Sequence, residues 1–183
     1  MRFPLPFVPT LSYKGGAGFG ADRSNVRKGL RHAANDLAAV PGTPVLAMAS
    51  GQVIRGPYQF FFETCALEVR HPDFIARYCE IDRHVEVKVG DDVVEGQVIA
   101  YVGDQPGQDM LHLEFFTGNR NGDLSTTPGT HPPYDRRDDV FDGTQYLDQT
   151  IHTVTHCDED NTYRYDVDEK GRKFVQKPDL RDI

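Results

Sequence analysis

The stretch VKVGDDVVEGQVIAYVG, residues 87–103, predicts the fold of this chain more clearly than any other segment. Valines alternate with polar residues over 85–89, which is typical of a half-buried strand. The turn-forming sequence GDD at 90–92 follows, and the apolar-rich residues 93–103 contain another strand. This part of the chain therefore predicts a hairpin of two strands joined by a short turn.

Short apolar segments on both sides of this hairpin extend the same pattern. They lie at residues 43–49, 52–54, 60–62, 66–69, 74–81 and 110–116. Turn signals separate them at intervals of about ten residues, which is the spacing of antiparallel strands and not of alternating strands and helices. We therefore expect an all-β fold, built mainly from antiparallel sheet, with few short helices.

Composition divides the 183 residues into four parts. Residues 1–30 are rich in proline and glycine and are expected to form an N-terminal approach segment, whereas residues 31–118 hold the predicted strands. Residues 119–150 are an extension with apolar side chains that could dock on the core, namely Val140, Phe141, Tyr146 and Leu147. The charged residues 151–183 form either a hairpin that turns at 169–172 or a loosely attached tail.

The overall charge excludes some classes of protein. The chain carries 20 Lys and Arg residues against 28 Asp and Glu residues, a net charge of −8, which argues against a nucleic-acid-binding protein with its basic patch. No apolar run approaches the roughly 18 residues of a membrane span. Prolines interrupt the N-terminal sequence MRFPLPFVPT, so it lacks the apolar core of a signal peptide. We therefore expect synthesis in the cytoplasm without a cleavable signal peptide, so that any action in the periplasm or outside the cell would need specialised export.

The three cysteines, Cys65, Cys79 and Cys157, lack the C-x-x-C spacing of zinc ribbons and thioredoxin-like redox sites. An odd number of cysteines cannot pair completely within one chain. Three separate thiols are the favoured interpretation, and one disulfide with a single free thiol is the alternative.

Two segments combine a chemically active side chain with a close neighbour. His32 and Asp36 lie four residues apart, which would put them on one face of a helix and also lets them converge on an irregular loop. Strand alternation gives Tyr78 and Glu80 a common face. Taken alone, the first segment is also explained by a hydrogen-bonded surface pair and the second by an exposed strand carboxylate.

A third segment lies in the strand predicted at 110–116. Alternation puts Met110, His112 and Glu114 on one face of this strand, while leucine and phenylalanine form the apolar opposite face. A single strand histidine is usually structural, but a glutamate two residues further along can orient the imidazole of a metal ligand.

The order of these segments, between Arg31 and Phe116, resembles the lysostaphin-like (LytM-type) zinc metallopeptidases. In that family a His-x-x-x-Asp motif precedes a Gly-Thr-Pro-Val-x-Ala segment and a Gly-x-Val strand, which here lie at 32–36, 42–47 and 51–53. The family pattern continues with a Tyr-x-His strand, a valine-rich hairpin and a His-x-His-x-Glu strand, which correspond here to 78–80, 87–103 and 110–114.

The resemblance implies a zinc metallopeptidase that hydrolyses bacterial cell-wall peptidoglycan, in the stem peptide or in the cross-bridge. It assigns Zn²⁺ to His32, Asp36 and His112, and two histidines with one carboxylate leave the fourth position open, as in catalytic zinc sites. Tyr78 and Glu114 are then expected to bind substrate or to support the ligands, with Glu114 orienting His112.

Two positions depart from the family pattern. Glu80 stands where the family has the histidine of Tyr-x-His, and Met110 replaces the first histidine of His-x-His. In one interpretation Glu80 is the general base of an active peptidase. In the alternative, the protein is a catalytically degenerate module that binds peptidoglycan or a protein partner without cleavage. The same two variants resemble members linked to type VI secretion, which implies an antibacterial effector with a secretion-apparatus or immunity protein as partner.

Overall fold

Strands make up most of the regular structure. The structure, a computed structural model, describes residues 1–10, 13–154 and 163–176. The strands are β1 (Asn35–Ala38), β2 (Pro44–Leu46), β3 (Gly51–Gln59), β4 (Cys65–Arg70), β5 (Ile75–Ile81), β6 (Asp92–Val93), β7 (Val98–Tyr101), β8 (Met110–Phe116), β9 (Val140–Phe141), β10 (Tyr165–Val167) and β11 (Lys173–Val175). The described part of the chain adds one helix, α1 (Thr144–Thr150), and short 3₁₀ turns at Gly15–Ala17 and Ile151–Thr153. The predicted all-β fold is confirmed. Within these ranges, no helix has the length and apolarity needed to cross a membrane.

Seven strands form one antiparallel sheet. Its order is β1-β8-β5-β4-β3-β6, and β9 pairs with the end of β8 beside β1. The pairs β2-β7 and β10-β11 form two smaller sheets. Every residue of β5, and every residue of β8 after Met110, is buried. Residues 74–81 alternate poorly in sequence because a strand covered on both faces has no solvent-facing side.

One face of the main sheet packs on the hydrophobic core, and the first residues of the chain contribute to that core. Phe3, Leu5 and Phe7 are almost completely buried and belong to the same cluster as Leu111 and Leu113 of β8. Burying side chains of this size contributes roughly 1.5–3 kcal/mol each. The start of the approach segment therefore packs into the domain.

Residues 85–89 do not form the predicted strand. The regular parts of the hairpin region are instead β6, which pairs with β3, and β7, which pairs with β2. Before β6 the Lys88 N–H donates to the Asp91 carboxylate (3.0 Å), and the Gly90 N–H donates to the Val53 carbonyl (2.8 Å). Such local hydrogen bonds to side chains compete with strand pairing, and the valine at 89 is left exposed.

The segments that follow β8 pack on the domain. Leu147 of α1 joins the main core, and Phe141 and Tyr146 pack against it. β10 and β11 pair as a hairpin, the first of the two alternatives predicted for residues 151–183. Phe174 of β11 also pairs with Gln97 beside β7.

The two cysteines that the structure describes, Cys65 and Cys79, are free thiols. Cys157 lies outside the described residues.

Candidate metal centre

His32, Asp36 and His112 meet near one edge of the main sheet, and we call them the metal group. His112 in β8 lies directly across from Asp36 in β1, and cross-strand partners point to the same face of a sheet. His32 precedes β1, and its own N–H and C=O are bonded to Ala21 and Gly20 at 2.8 Å each. The residues from His32 to Asp36 therefore form a loop and the start of β1, and not a turn of helix.

The three side chains offer ligand atoms at distances that suit one small cation. His32 Nε2 lies 3.3 Å from Asp36 Oδ1 and 3.4 Å from His112 Nδ1, and the last two atoms are 2.9 Å apart. In the described ranges this is the one group of His, Cys, Asp or Glu side chains placed to share a metal ion. Ligand atoms about 2.0–2.1 Å from a tetrahedral zinc ion lie roughly 3.3 Å from each other, so the donor set and its spacing fit Zn²⁺.

Hydrogen bonds to the other ring nitrogens orient both imidazoles. His32 Nδ1 lies 3.0 Å from the Gly18 carbonyl oxygen, and His112 Nε2 lies 3.1 Å from Glu114 Oε1. These oxygens accept, so the two nitrogens carry the protons and donate. His32 Nε2 and His112 Nδ1 are thereby left to face Asp36 as metal-binding nitrogens.

Burial acts against hydrogen bonds and charges in the ionisation of Asp36 and His112. Burial by itself raises the pKa of the Asp36 carboxyl, but its hydrogen bonds with His112 and His32 outweigh burial and hold this pKa well below its usual range. Burial lowers the pKa of His112, whereas hydrogen bonds with Asp36 and Glu114 and their negative charges raise it to about 9. Because zinc binds a deprotonated ring nitrogen, binding releases a proton from His112 wherever the imidazole is protonated on both nitrogens.

A buried ionic network lies beneath His112, centred on Glu114. This carboxylate is fully buried, and its Oε1 accepts a hydrogen bond from Arg136 Nε (2.8 Å) as well as from His112. Its Oε2 accepts from Nε (2.8 Å) and Nη2 of Arg77, which faces it across the β5–β8 pair. Burial raises the pKa of the Glu114 carboxyl, but the charges of Arg77 and Arg136 outweigh burial and keep it well below its usual range. Glu114 is thus an anion that only accepts hydrogen bonds.

Glu80 occupies a β-bulge. The β4–β5 register slips, so Cys79 and Ile81 have partners on β4 whereas Glu80 has none. Its backbone adopts a φ of 62°, which is strained for a residue other than glycine. A bulge re-aims the side chain, and here the Glu80 carboxylate accepts a 2.6 Å hydrogen bond from Gln105 Nε2.

The Glu80 carboxyl is coupled to the metal group through its charge. It is buried, and burial raises its pKa above the usual range of a glutamate. The charges of His112 and His32 oppose this increase, whereas the charge of Asp36 adds to it. These charge interactions couple the ionisation of Glu80 to that of the metal group.

Tyr78 lies on the other face of the sheet, in the hydrophobic core. It pairs with Leu113, a core residue of β8, and its hydroxyl oxygen accepts a 3.0 Å hydrogen bond from the Met48 N–H. The expectation that Tyr78 and Glu80 share a face is therefore wrong, because the bulge interrupts the alternation between them. Tyr78 is a core residue that does not face the metal group.

The sequence patterns missed Phe60, a neighbour of His112, and Arg136, a partner of Glu114. The Phe60 ring lies 5.6 Å from the His112 ring and 6.0 Å from the guanidinium of Arg136. Residues 60–62 are not the predicted strand but part of the loop between β3 and β4, since the chain turns at Phe62 with a φ of 45°. The run of three phenylalanines favoured a strand, and no local pattern marks Arg136.

Comparison with known families gives one match. A sequence model of peptidase family M23 matches residues 30–124, which is more than half of the 183 residues and includes all of the metal group. Among curated proteins, no sequence matches the chain.

Solved structures share the fold. The catalytic domain of the antimicrobial peptidase lysostaphin from Staphylococcus simulans is 21% identical with a TM-score of 0.57, over 74% of this chain and 92% of that one. LytU is 24% identical with a TM-score of 0.56, over 74% of this chain and 85% of that one. A zinc-containing peptidase from Vibrio cholerae is 26% identical with a TM-score of 0.50, over 65% of this chain and 38% of that one.

Proposed function

Because the chain belongs to peptidase family M23, we propose that it is a zinc-dependent endopeptidase that cleaves peptide bonds in bacterial cell-wall peptidoglycan. The observation that carries the proposal is the geometry of the metal group: two oriented imidazole nitrogens and one carboxylate oxygen lie 2.9–3.4 Å apart. This is the donor set of a catalytic zinc site. Support for the cell wall as substrate comes from the resemblance of the sequence motifs to lysostaphin-like peptidases.

The chain supplies both the ligands and the groups that orient them. His32, Asp36 and His112 would hold the zinc ion. When bound, zinc supplies a Lewis acid that polarises a carbonyl group and lowers the pKa of a water molecule. Glu114 keeps the proton of His112 on Nε2, so Nδ1 stays available as a ligand.

Glu80 is the general base in this proposal. Its carboxylate accepts a hydrogen bond from Gln105 and interacts with the charges of the metal group. Its pKa is raised, which suits a group that accepts a proton. Glu114 already accepts hydrogen bonds from two arginines and a histidine. Met110 has no proton to exchange. Of the groups that the family motifs place beside the metal, Glu80 is thus the one free to accept a proton.

Digestion of purified peptidoglycan sacculi tests the proposal. Zinc-loaded protein should release soluble fragments with new peptide termini, and mass spectrometry of these fragments identifies the bond that is cut. Protein stripped of metal should release none, and added zinc should restore the release. Intact sacculi after incubation with folded, fully zinc-loaded protein would contradict peptidase activity on this substrate.

A module that binds peptidoglycan without cleaving it is the second candidate. The observation that favours it is Met110, which occupies the position of a family histidine and cannot transfer a proton. Co-sedimentation with sacculi separates the two candidates. Binding without release of fragments supports the module, whereas release of fragments supports the enzyme.

We also propose that the protein acts outside the cytoplasm as an antibacterial effector after specialised export. The support is the resemblance of its variant motifs to type VI secretion-associated members. Expressed in a bacterium with an added signal peptide, the protein should reach the periplasm and lyse the cells, while the same chain without that peptide should be harmless. Folded, zinc-loaded protein that accumulates in the periplasm without damage would contradict the effector role.

A further inference from the structure

We propose that Arg136 is a positioning residue of the metal centre. By holding Glu114 in place it would keep His112 oriented with Nδ1 toward the metal, and so raise the affinity for zinc. Arg136 lies in the extension, beyond residues 30–124 that match the family. This inference rests on the proposed zinc site.

The two oxygens of Glu114 have separate partners. Arg77 donates twice to Oε2, whereas Arg136 Nε donates to Oε1, the same oxygen that accepts from His112 Nε2. Without Arg136, Glu114 would keep its contacts with Arg77 through Oε2. Of these residues, His112 alone would then remain as a partner of Oε1. Arg136 is therefore the group that fixes the oxygen on which the orientation of His112 depends.

The extension holds Arg136 firmly against the sheet. Its backbone pairs with Ser125, and the adjacent Arg137 N–H donates to the Leu124 carbonyl (2.9 Å). Ser125 Oγ in turn accepts from Arg77 Nη1 (2.8 Å), so the extension contacts the network at two points. The Arg136 side chain is largely buried, with 19% of its surface exposed. An arginine side chain held in this way loses little conformational freedom when it makes its hydrogen bond.

Arg136 has two opposing effects on zinc binding. Its Nε holds Glu114 Oε1 in place as the acceptor for His112 Nε2, which favours zinc binding. The arginine also repels a dication, which opposes zinc binding. Glu114 lies between the arginine and His112 and offsets this repulsion. We therefore expect the orienting effect to be the larger of the two.

Arg136→Met removes the donor and the charge while it keeps a long side-chain stem for packing. We expect it to lower zinc affinity about 10–100-fold, the range for partners that orient a metal ligand. Arg137→Met is the matched control: Arg137 is the next residue and is also paired with a buried carboxylate, Asp139 (2.6 Å), but it does not contact Glu114. It should bind zinc as the wild type does.

Competition with a chromophoric chelator measures the zinc affinity, and the visible spectrum of the cobalt-substituted proteins reports the ligand geometry. Wild-type affinity and an unchanged cobalt spectrum in folded Arg136→Met, or tighter zinc binding, would overturn the inference. If that variant does not fold, Arg136→Gln takes its place under the same criteria. A wild-type protein that binds no zinc would instead refute the proposed function, so the two failures are distinguishable.

Discussion

Replacing His112 with alanine should remove nearly all zinc from the purified protein and abolish cleavage of peptidoglycan. His112 supplies one of three ligand atoms that lie 2.9–3.4 Å apart, and alanine leaves two. Loss of a residue that merely orients a ligand lowers metal affinity about 10–100-fold, so loss of the ligand itself should exceed roughly 100-fold. Elemental analysis of protein prepared without added metal should show near-equimolar zinc in the wild type and little in the variant.

His84→Ala is the matched control, since the His84 side chain is 75% exposed and lies outside the metal group. It should keep its zinc and its activity. Melting curves of both variants separate loss of metal from loss of fold. A folded His112→Ala protein with full zinc content would show that the proposed ligand set is wrong.

The change Glu80→Gln should lower the turnover of peptidoglycan by at least roughly 100-fold, the lower scale for a positioned general base. Glutamine keeps the size of the side chain and an oxygen that can accept from Gln105, but it cannot take up a proton. Zinc content and melting temperature should hardly change. Initial rates of release of new peptide termini measure the effect.

The pH dependence gives this variant a second readout. A base must be ionised to accept a proton, so the wild-type rate should fall as the pH drops through the pKa of Glu80. Burial raises this pKa, which puts the loss at a higher pH than for an exposed glutamate, whose pKa is about 4.3. The residual rate of Glu80→Gln should lack this acid limb.

Glu86→Gln is the control for this series, because Glu86 is also partly buried and hydrogen-bonded, but to Lys173 and Tyr101. It should retain wild-type turnover. If Glu80→Gln turns over substrate as fast as the wild type, Glu80 has no part in the mechanism.

Features that repeat over a few residues were open to prediction from the sequence. The alternation in β8 correctly separates His112 and Glu114 from the core residues Leu111 and Leu113, because a regular strand turns successive side chains to opposite faces. The same reasoning failed where hydrogen bonding departs from regular pairing, as at residues 85–89, where the Lys88 N–H donates to the Asp91 carboxylate.

The all-β class and most of the strands could thus be predicted from the amino-acid sequence. Spacing and family motifs also predicted the residues that the structure brings together as the metal group. The orientation of Glu80 away from the face of Tyr78 could not be predicted in this way, because a bulge depends on the register between β4 and β5 and not on the residues of β5 alone. The contact between Arg136 and Glu114 was equally out of reach, since it joins residues 22 positions apart through the folding of the extension onto the sheet. Periodicity describes how neighbours along one element are arranged, and such long-range pairings are set by how separate elements pack.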